Sequence, residues 1–376
     1  MTDLFHHINL SEKTSPKPLK GISLFAIVGV SETYLASQNI HIVAANELLP
    51  ERAKFYQHLH QNTQMICGDI TDEKIFQQLV AKFHSEKCSF LLATPPCQGM
   101  SVAGKMNPND PRNKLIINVI DFIKETEPEN IIIENVANIL NFSILHQEKQ
   151  IKIVDFIKEQ LVPLQYFINY AVLDASDYDT PQYRKRAIFL ISKHKMWHFP
   201  AKKPKITVLD AIGDLPSLES GQDSGIKYHF AKTHNPQHIL WMKHTPTGKT
   251  ALENEVFFPQ KNNRKIKGFA TTYKRIDWHK HAPTITMCNG AISSQNNVHP
   301  GRQINENQYS DARVLTILEL LRLTGLPDDW NIPNWASDNL IRQVLGESFP
   351  PKFCLNLLTT MPRKKYNISL YEKRKH

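Results

Sequence analysis

The chain has 376 residues, of which 41% are hydrophobic and 22% charged, the composition of an ordinary globular protein with a large core. Its 45 Lys and Arg against 36 Asp and Glu leave a formal net charge of +9. The densest basic runs lie at 202–205, 261–275 and 363–376, towards the C-terminal part. This distribution favours a polyanionic partner over a plain solvated basic surface.

The cysteines and the apolar runs exclude several classes of protein. The five cysteines form no CxxC pair and no metal-ligand spacing, which predicts separate thiols in a reducing compartment and no metal site. The first residues contain no apolar signal core, and no run of 18 apolar residues occurs. We therefore expect a cytoplasmic protein with no membrane contact.

Beyond a polar tail at 1–19, short apolar runs alternate with helical patterns. Strands are predicted at 21–29, 41–47, 64–70, 88–96, 130–136, 166–173 and 186–192. Helices are predicted at 31–38, 51–59, 72–83 and 149–161. Buried strands separated by helices indicate an α/β fold with a doubly wound, mostly parallel, Rossmann-like sheet. Ligands of such sheets gather at the carboxyl ends of the strands.

From about residue 194 the alternation ends. Residues 194–280 are rich in Lys, His, Pro, Asn and Thr, and regular helical patterns return only at 311–325 and 337–346. We therefore predict two domains, one formed by 20–193 with 335–376, and a smaller, irregular one at 194–334. The smaller domain presents the basic and aromatic surface that would contact a partner.

Four consecutive strands are followed by a polar or reactive residue. They end at Glu47, at Asp69, at the Pro-Pro-Cys run 95–97 and at Glu134. An acidic residue that ends the second strand of a doubly wound fold is where a ribose is bound. Each acid alone is more often a surface carboxylate or a helix cap. The run of four indicates one functional edge.

Cys97 lies just after a strand rather than inside an apolar run. Pro95 and Pro96 fix the backbone before it, whereas Gly99 and Gly104 permit movement after it. A fixed nucleophile beside a movable loop suits a site that closes on its substrate. A proline-stiffened turn with an incidental thiol remains the alternative from this loop alone.

Glu134 lies in the otherwise apolar strand IIIENV, where an unpaired carboxylate is costly to bury. Desolvation is expected to raise its pKa and allow it to donate a proton. Gln182, Arg184 and Arg186 precede a later strand, and the alternate spacing places both arginines on one side. Two guanidinium groups there need an anion, either Glu134 or a phosphate, unless they lie on an ordinary solvated edge.

Taken in order, these motifs resemble the DNA cytosine-5 methyltransferases over almost the whole chain. The matching segments are PPCQGMSVAGK, ENV, QYRKR, HAPTITMCNGAISSQNNVHPGR, RVLTILELLRLTGLPDDW and GESFPP. The compact length resembles the bacterial restriction–modification type. The resemblance implies the fold of S-adenosylmethionine-dependent methyltransferases, with 194–334 as the target-recognition domain and hinge.

The resemblance also implies roles for the residues singled out. Cys97 is implied to add to C6 of a flipped-out cytosine, so that C5 can accept the methyl group. Glu134 would hold or protonate N3, Arg186 would hold O2 and orient Glu134, and Arg184 would meet a backbone phosphate. Residues implied to contact the substrate or the DNA are Gln98, Ser101 and Gln182.

S-adenosylmethionine is the implied cofactor. Its implied contacts are Leu24, Phe25, Gly29, Glu47, Leu48, Asp69, Ile70, Pro95, Leu115 and Ser348. The chain departs from the family pattern at Ser23, Ile27 and Val30, which replace an Asp and two glycines, and at Glu347, which replaces an Asn. Loss of glycine at Ile27 is predicted to restrict how closely the backbone approaches the methionine moiety.

Duplex DNA is the implied partner, with a restriction endonuclease as a functional partner, and we expect a monomer that associates with the nucleoid while it acts. Two alternatives remain open. The altered cofactor motifs suggest a DNA-binding protein that has lost catalysis, which S-adenosylmethionine binding would distinguish. The other is a tRNA cytosine-5 methyltransferase, which activity on tRNA against duplex DNA would distinguish.

Overall fold

The computed structural model describes residues 17–96 and 115–363. Its main feature is a seven-stranded sheet of order β3-β2-β1-β4-β5-β9-β8. The strands are β1 (Leu19–Leu24), β2 (Ile40–Glu47), β3 (Gln64–Cys67), β4 (Phe90–Ala93), β5 (Asn130–Val136), β8 (Phe167–Asp174) and β9 (Lys185–Ser192). Two-stranded pairs are formed by β6 (Ser143–His146) with β7 (Lys149–Lys152), β10 (Gln260–Lys261) with β11 (Arg264–Lys265), and β12 (Gln303–Asn305) with β13 (Gln308–Tyr309).

The sheet is mostly parallel, as predicted. β1 pairs in parallel with both β2 and β4, and the parallel pairing extends to β3 on one side and β5 on the other. β9 then runs antiparallel to β5, and β8 at the far edge runs antiparallel to β9 and so in the same direction as β5. The order in which successive strands are added to the sheet reverses between β1 and β4, and this switch point is where doubly wound folds bind their ligands.

Helices cover both faces of this sheet. They are α1 (Pro50–Leu59), α2 (Glu73–Ser85), α3 (Leu115–Thr126), α4 (Ile153–Leu161), α5 (Val208–Ile212), α6 (Pro236–Lys243), α7 (Ile317–Thr324), α8 (Asp338–Glu347) and α9 (Pro351–Leu358). Apolar faces of α2, α3 and α4 bury one side of the sheet, and α9 packs on the other side with Trp197. No helix within the described parts of the chain is both long and apolar enough to cross a membrane.

Several predicted elements are shorter than the apolar patterns suggested. β1 ends at Leu24 rather than at 29, because the backbone turns into the left-handed region at Phe25 and Ile27. The helix predicted at 31–38 is two short 3₁₀ turns, Val30–Glu32 and Leu35–Gln38.

The two other long helices begin later than predicted. Residues 149–152 pair with β6 as a strand, so that α4 begins only at Ile153. The helix predicted from 311 begins at Ile317, where Thr316 and Glu319 form a reciprocal capping box. Both differences arise because hydrogen bonds, not apolar spacing, decide where a helix begins.

Residues 194–334 share a core with the rest of the chain. α5, α7 and α8 pack together with Val28 and Phe55 from the β1 and α1 region. A second, smaller cluster around Trp241, Met242 and Val298 is formed within 194–334. The predicted division at 334 and 335 stays a prediction, and α7 and α8 on its two sides bury one common apolar face.

A buried ionic cluster anchors α7 to the loops before it. Arg313 donates to both oxygens of Glu319, at 2.8 and 2.9 Å, and to Asp311 at 2.9 Å. His299 lies 3.6 Å from Glu319, and its Nδ1 accepts the backbone N–H of Gly301 at 3.1 Å, which fits a neutral ring. Burial, with Arg313 nearby, lowers the pKa of His299 to about 3.

This cluster predicts a specific loss of stability in mild acid. His299 is neutral in the folded state and takes up a proton in the unfolded state below about pH 6.5. Its contribution to stability is therefore complete above pH 6.5 and is lost as the pH falls towards 3, by up to about 1.4 kcal/mol per pH unit. In urea unfolding at pH 7, 6 and 5, we expect the stability difference between wild type and His299→Gln to shrink as the pH falls. Parallel pH profiles for the two proteins would contradict this.

Candidate functional site

Side-chain hydrogen bonds tie neighbouring strands together at the carboxyl edge of the sheet. Asn46 at the end of β2 donates to Ile66 O and Gly68 O, both at 3.0 Å. Thr94 after β4 donates to Phe25 O at 2.9 Å. Asn135 in β5 donates to Pro95 O at 3.0 Å. Each bond joins the loop after one strand to its neighbour, and together they hold this edge in a fixed shape.

A cavity of about 1020 Å³ opens at this edge, at the upper end of the range of ligand sites. The walls come from β1, β2, β4, β5 and the start of β9, and from two more distant segments around 284–288 and 346–349. Ten of the predicted site residues line it: Phe25, Glu47, Leu48, Asp69, Ile70, Pro95, Leu115, Glu134, Arg184 and Arg186. The tertiary structure thus brings the predicted strand ends to one place.

Glu47, at the end of β2, is 6% exposed and lines the cavity. One carboxylate oxygen accepts the N–H of Leu49 at 2.9 Å, and the other accepts the N–H of Ile27 at 3.0 Å. Desolvation raises its pKa, while these N–H groups and Arg52 oppose that change. Because each oxygen has only one protein donor among these bonds, both keep acceptor capacity for hydroxyl groups.

The loop after β1 keeps a glycine-like backbone without the glycine. Ile27 has a φ of 55°, in the left-handed region that a β-branched residue enters at a cost of about 1–2 kcal/mol. Its N–H donates to Glu47 and its side chain packs against Val28 and the α7 core. The loop therefore accommodates Ile27 by straining the backbone of this residue, rather than by adopting a conformation with negative φ there.

An apolar wall stands beside Glu47. Leu48 is 56% exposed, which is high for a large aliphatic residue, and it lines the cavity together with Ile70 and Phe25. Asp69, next to Ile70, accepts the backbone N–H and the hydroxyl of Thr71, each at 2.9 Å. An exposed aliphatic side chain next to a rigid turn suits a flat apolar ring better than it suits water.

The opposite part of the cavity contains a buried ion pair. Glu134 in β5 and Arg186 in β9 are joined at 2.8 Å, with side chains 10% and 14% exposed. Val136 lies opposite Arg186 in the antiparallel register. Glu134, two residues before Val136, is therefore the diagonal neighbour of Arg186 on the same face. Desolvation raises the pKa of Glu134 in spite of the lowering effect of Arg186 and Arg184.

The contact with a backbone phosphate that the resemblance implies for Arg184 stays a prediction, and the described contacts of this residue lie within the cavity wall. The residue is 2% exposed, and its terminal nitrogens donate to Ile285 O at 3.0 Å and to Gly346 O at 2.9 Å. Gly346 itself lies so close to Thr286 that a Cβ there would stand 2.3 Å from the Thr286 carbonyl. Arg184 therefore binds two segments to the sheet, and its charge acts on Glu134 from within the wall.

Four other predicted site residues lie off the cavity wall. Leu24 is fully buried in the core, and Gly29 turns the chain with its carbonyl 3.1 Å from His60. Ser348 bonds back to Val344 O within α8. Gln182 is 1% exposed and accepts the N–H of Ile285, so that it supports the wall, and its predicted contact with the substrate stays a prediction. Cys97, Gln98 and Ser101 lie outside the described residues.

Two parts of the wall were not predicted as site residues. Arg52 in α1 forms an ion pair with Glu347 at 2.7 Å. The sequence showed Glu347 only as a departure from a motif, and Arg52 only as one residue of a helix. The segment that contains Thr284, Thr286 and Cys288 also lines the cavity. The sequence analysis identified this segment only as one of those that carry the family resemblance. Its position beside the strand ends depends on long-range contacts.

The described cysteines differ in their surroundings. Burial raises the pKa of Cys88 to about 12 and raises that of Cys354 as well, which makes both poor nucleophiles. Cys288 is exposed and lines the cavity. Within the described ranges, no three His, Cys, Asp or Glu residues are grouped so that they could hold a metal ion.

Comparison with known proteins agrees with this geometry. Residues 19–363 match the family model described as C-5 cytosine-specific DNA methylase. Type II methyltransferase M1.HgaI of Avibacterium volantium is 47% identical over 348 residues, which cover 91% of this chain and 97% of that protein. Type II methyltransferase M1.HphI of Haemophilus parahaemolyticus is 27% identical over 88% of this chain and 83% of its own.

Solved structures show the same fold. A DNA modification methyltransferase encoded within an E. coli prophage superimposes with a TM-score of 0.65 at 20% identity, covering 91% of this chain and 98% of that chain. The strand ends form one cavity, and the family match covers nearly all of the described residues. The chain belongs to the C-5 cytosine-specific DNA methylase family and is a DNA (cytosine-5) methyltransferase.

Proposed function

We propose that the protein transfers a methyl group from S-adenosylmethionine to C5 of a flipped-out cytosine in a specific duplex DNA sequence, as the modification enzyme of a type II restriction–modification system. One observation carries the proposal. The ribose-type acceptor Glu47 and the buried Glu134–Arg186 pair line the same cavity, so that a cofactor and a base can meet there. We also propose a partner endonuclease that would cut the unmodified sequence, and the relatives named type II methyltransferases support this.

The residues near β1 to β3 fit the cofactor. Glu47 would accept the ribose hydroxyl groups, and the adenine ring would lie against Leu48 and Ile70. When bound, S-adenosylmethionine supplies an electrophilic methyl group on a sulfonium centre. Phe25 follows β1 and Pro95 follows β4, on the two sides of the point where the strand order reverses. Both would lie beside the sulfonium end of the cofactor.

The residues of β5 and β9 fit the base. The thiolate of Cys97 would add to C6 of cytosine and make C5 nucleophilic. After methyl transfer a base would take up the C5 proton, and the electrons of that C–H bond would re-form the C5–C6 double bond and expel the thiolate. Glu134, whose pKa is raised by desolvation, would hold the proton at N3 as the ring gains electron density. Arg186 would keep the Glu134 carboxyl group in position through the 2.8 Å ion pair.

Duplex DNA fits a basic surface next to the cavity, which we call the 260–269 loop. It contains the hairpin of β10 and β11, whose turn residues Asn262 and Asn263 both have positive φ, as a two-residue hairpin turn requires. Exposed cations of the loop without a carboxylate partner in the described parts of the chain are Lys261, Arg264, Lys265 and Lys267, of which Lys265 donates to the backbone carbonyl of Asn254. Other lysines of this half, such as Lys203 and Lys249, are paired with acids.

The 260–269 loop is connected to the cavity wall. Phe269 is 77% exposed at its end. Shortly after it, Thr272 pairs with Gln295, and Gln295 lines the cavity. Unpaired cations beside a cavity suit phosphates, and an exposed aromatic ring suits a base stack that has been opened by flipping. We propose that this loop contacts the duplex around the target cytosine.

The proposed chemistry depends on one thiol. We expect Cys97→Ala to abolish methylation, because no other group would activate C5. Cys288→Ala removes an exposed thiol from the cavity wall and is expected to retain activity. The measurement is sequencing of 5-methylcytosine in duplex DNA and in tRNA incubated with each protein and S-adenosylmethionine.

Methylation of duplex DNA in one sequence context is the expected result for wild type. Absence of 5-methylcytosine with folded wild-type protein would contradict the proposed reaction, and methylation of tRNA alone would favour the RNA substrate. Loss of activity in Cys288→Ala with retention in Cys97→Ala would move the nucleophile to Cys288.

The 260–269 loop can be tested by its charge. A triple variant with Lys261, Arg264 and Lys267 changed to Gln should bind duplex DNA more weakly, with a salt-dependence slope lower by about 0.9 for each phosphate that the variant no longer neutralises. A control triple variant changes Lys202, Lys203 and Lys249, which are paired with acids, and removes the same formal charge. Equal slopes for the two variants, measured by fluorescence anisotropy at several salt concentrations, would contradict the assignment.

A further inference from the structure

The Arg52–Glu347 ion pair joins two distant parts of the chain inside the cavity. Arg52 lies in the first turn of α1, and Glu347 is the last residue of α8. Their charged atoms are 2.7 Å apart and each side chain is only 15% exposed. Both residues line the cavity, and both act electrostatically on Glu47. The pair is therefore next to the group that would bind the ribose.

Stability alone is a weak reason for such a pair. Two charges that are largely removed from water lose hydration free energy that their attraction only partly restores, and apolar residues in the same place often stabilise a fold as well. An ion pair that lines a ligand cavity has a second use, because a charged ligand can bind to either member. The location of the pair thus points to a ligand with both signs of charge.

The other two cations of the cavity wall are engaged elsewhere. Three cations line it among the described residues: Arg52, Arg184 and Arg186. Arg184 donates to two backbone carbonyls, and Arg186 is paired with Glu134 at the base-binding side. Arg52 is therefore the cation on the Glu47 side of the cavity.

The backbone of the loop after β1 has little left to offer an anion. The N–H of Ile27 donates to Glu47 at 3.0 Å, and the N–H of Gly29 donates to Ala26 O at 2.7 Å. A carboxylate at this end of the cavity would thus need a side-chain donor. Arg52 can supply up to two parallel N–H donors to a carboxylate.

We propose that Arg52 binds the carboxylate, and Glu347 the ammonium group, of the amino-acid end of S-adenosylmethionine. The inference rests on the proposed function, since it assigns one end of the same cofactor. The ligand end is a zwitterion, and the pair presents one charge of each sign at the wall, next to the carboxylate that would hold the ribose. In this chain the two charged side chains take over a task for which the loop backbone is not free.

Two neutral thioethers test the pair directly. S-adenosylhomocysteine has the amino-acid end, whereas 5′-methylthioadenosine lacks it and keeps the adenosine and the sulfur. Calorimetry should show that wild type binds S-adenosylhomocysteine more tightly. Arg52→Gln and Glu347→Gln should each lower that preference about tenfold or more, the usual loss for a hydrogen bond to a charged group, and leave 5′-methylthioadenosine binding nearly unchanged.

A charge-swapped variant separates ligand binding from a purely structural tie. Arg52→Glu with Glu347→Arg restores an ion pair but reverses its polarity, so we expect it to bind 5′-methylthioadenosine and to show no preference for S-adenosylhomocysteine. Recovery of the preference in the swapped variant would overturn the inference. The control variants Lys20→Gln and Glu86→Gln break a surface pair with the same 2.7 Å distance and should keep the wild-type preference.

The outcomes distinguish this inference from the proposed function. If wild type binds neither thioether nor S-adenosylmethionine, the proposed cofactor is wrong and the assignment of the pair is wrong with it. If wild type prefers S-adenosylhomocysteine and both glutamine variants keep the same preference, the cofactor stands and only the role of Arg52 and Glu347 is overturned. Retained 5′-methylthioadenosine binding shows that each variant is folded at the site.

Discussion

Parallel pairing of β1 with both β2 and β4 is the constraint on which the rest of the molecule depends. It turns the loops after neighbouring strands to the same edge. The strand order reverses between β1 and β4, so that the loops after these two strands diverge and leave a gap there. Hydrogen bonds from Asn46, Thr94 and Asn135 then fix the loops to one another. A cavity with a defined wall results, because these bonds tie Gly68, Phe25 and Pro95 to the neighbouring strands.

Electrostatics divides this cavity into two parts. The Glu134–Arg186 pair lies towards β5 and β9, where the sheet becomes antiparallel, and the Arg52–Glu347 pair lies near the end of β2. Both pairs are largely buried, so solvent and salt screen them less than surface pairs. The ion pairs at the two ends can orient a bound ligand. The leucine, isoleucine and phenylalanine side chains of the wall provide apolar contact area, which does not depend on the ligand's orientation.

In the sequence, the departures from the family pattern suggest a weakened cofactor site. In the structure, the substituted residues make new contacts in the wall of the cavity or behind it. Ile27 adopts a left-handed backbone conformation that favours glycine, and its side chain packs against the α7 core. Glu347 finds Arg52. The position of α8 behind this wall is held by Arg184 and by the close approach of Gly346 to Thr286. A motif compared letter by letter cannot show such compensation, because the partners lie far apart in the chain.

Local pattern in the sequence determined the α/β class and the approximate positions of the seven strands of the main sheet, with Glu47, Asp69 and Glu134 at or near their ends, since apolar runs and their polar ends depend on neighbouring residues alone. It could not determine where β1 ends or where α7 begins, because a positive φ at Phe25 and the Thr316 capping box decide those points. Nor could it place Arg184 inside the wall or join Arg52 to Glu347, which lie near opposite ends of the chain. Those contacts depend on tertiary packing, because α8 packs against the loop at 284–288 and so brings residues distant in the chain to the same cavity.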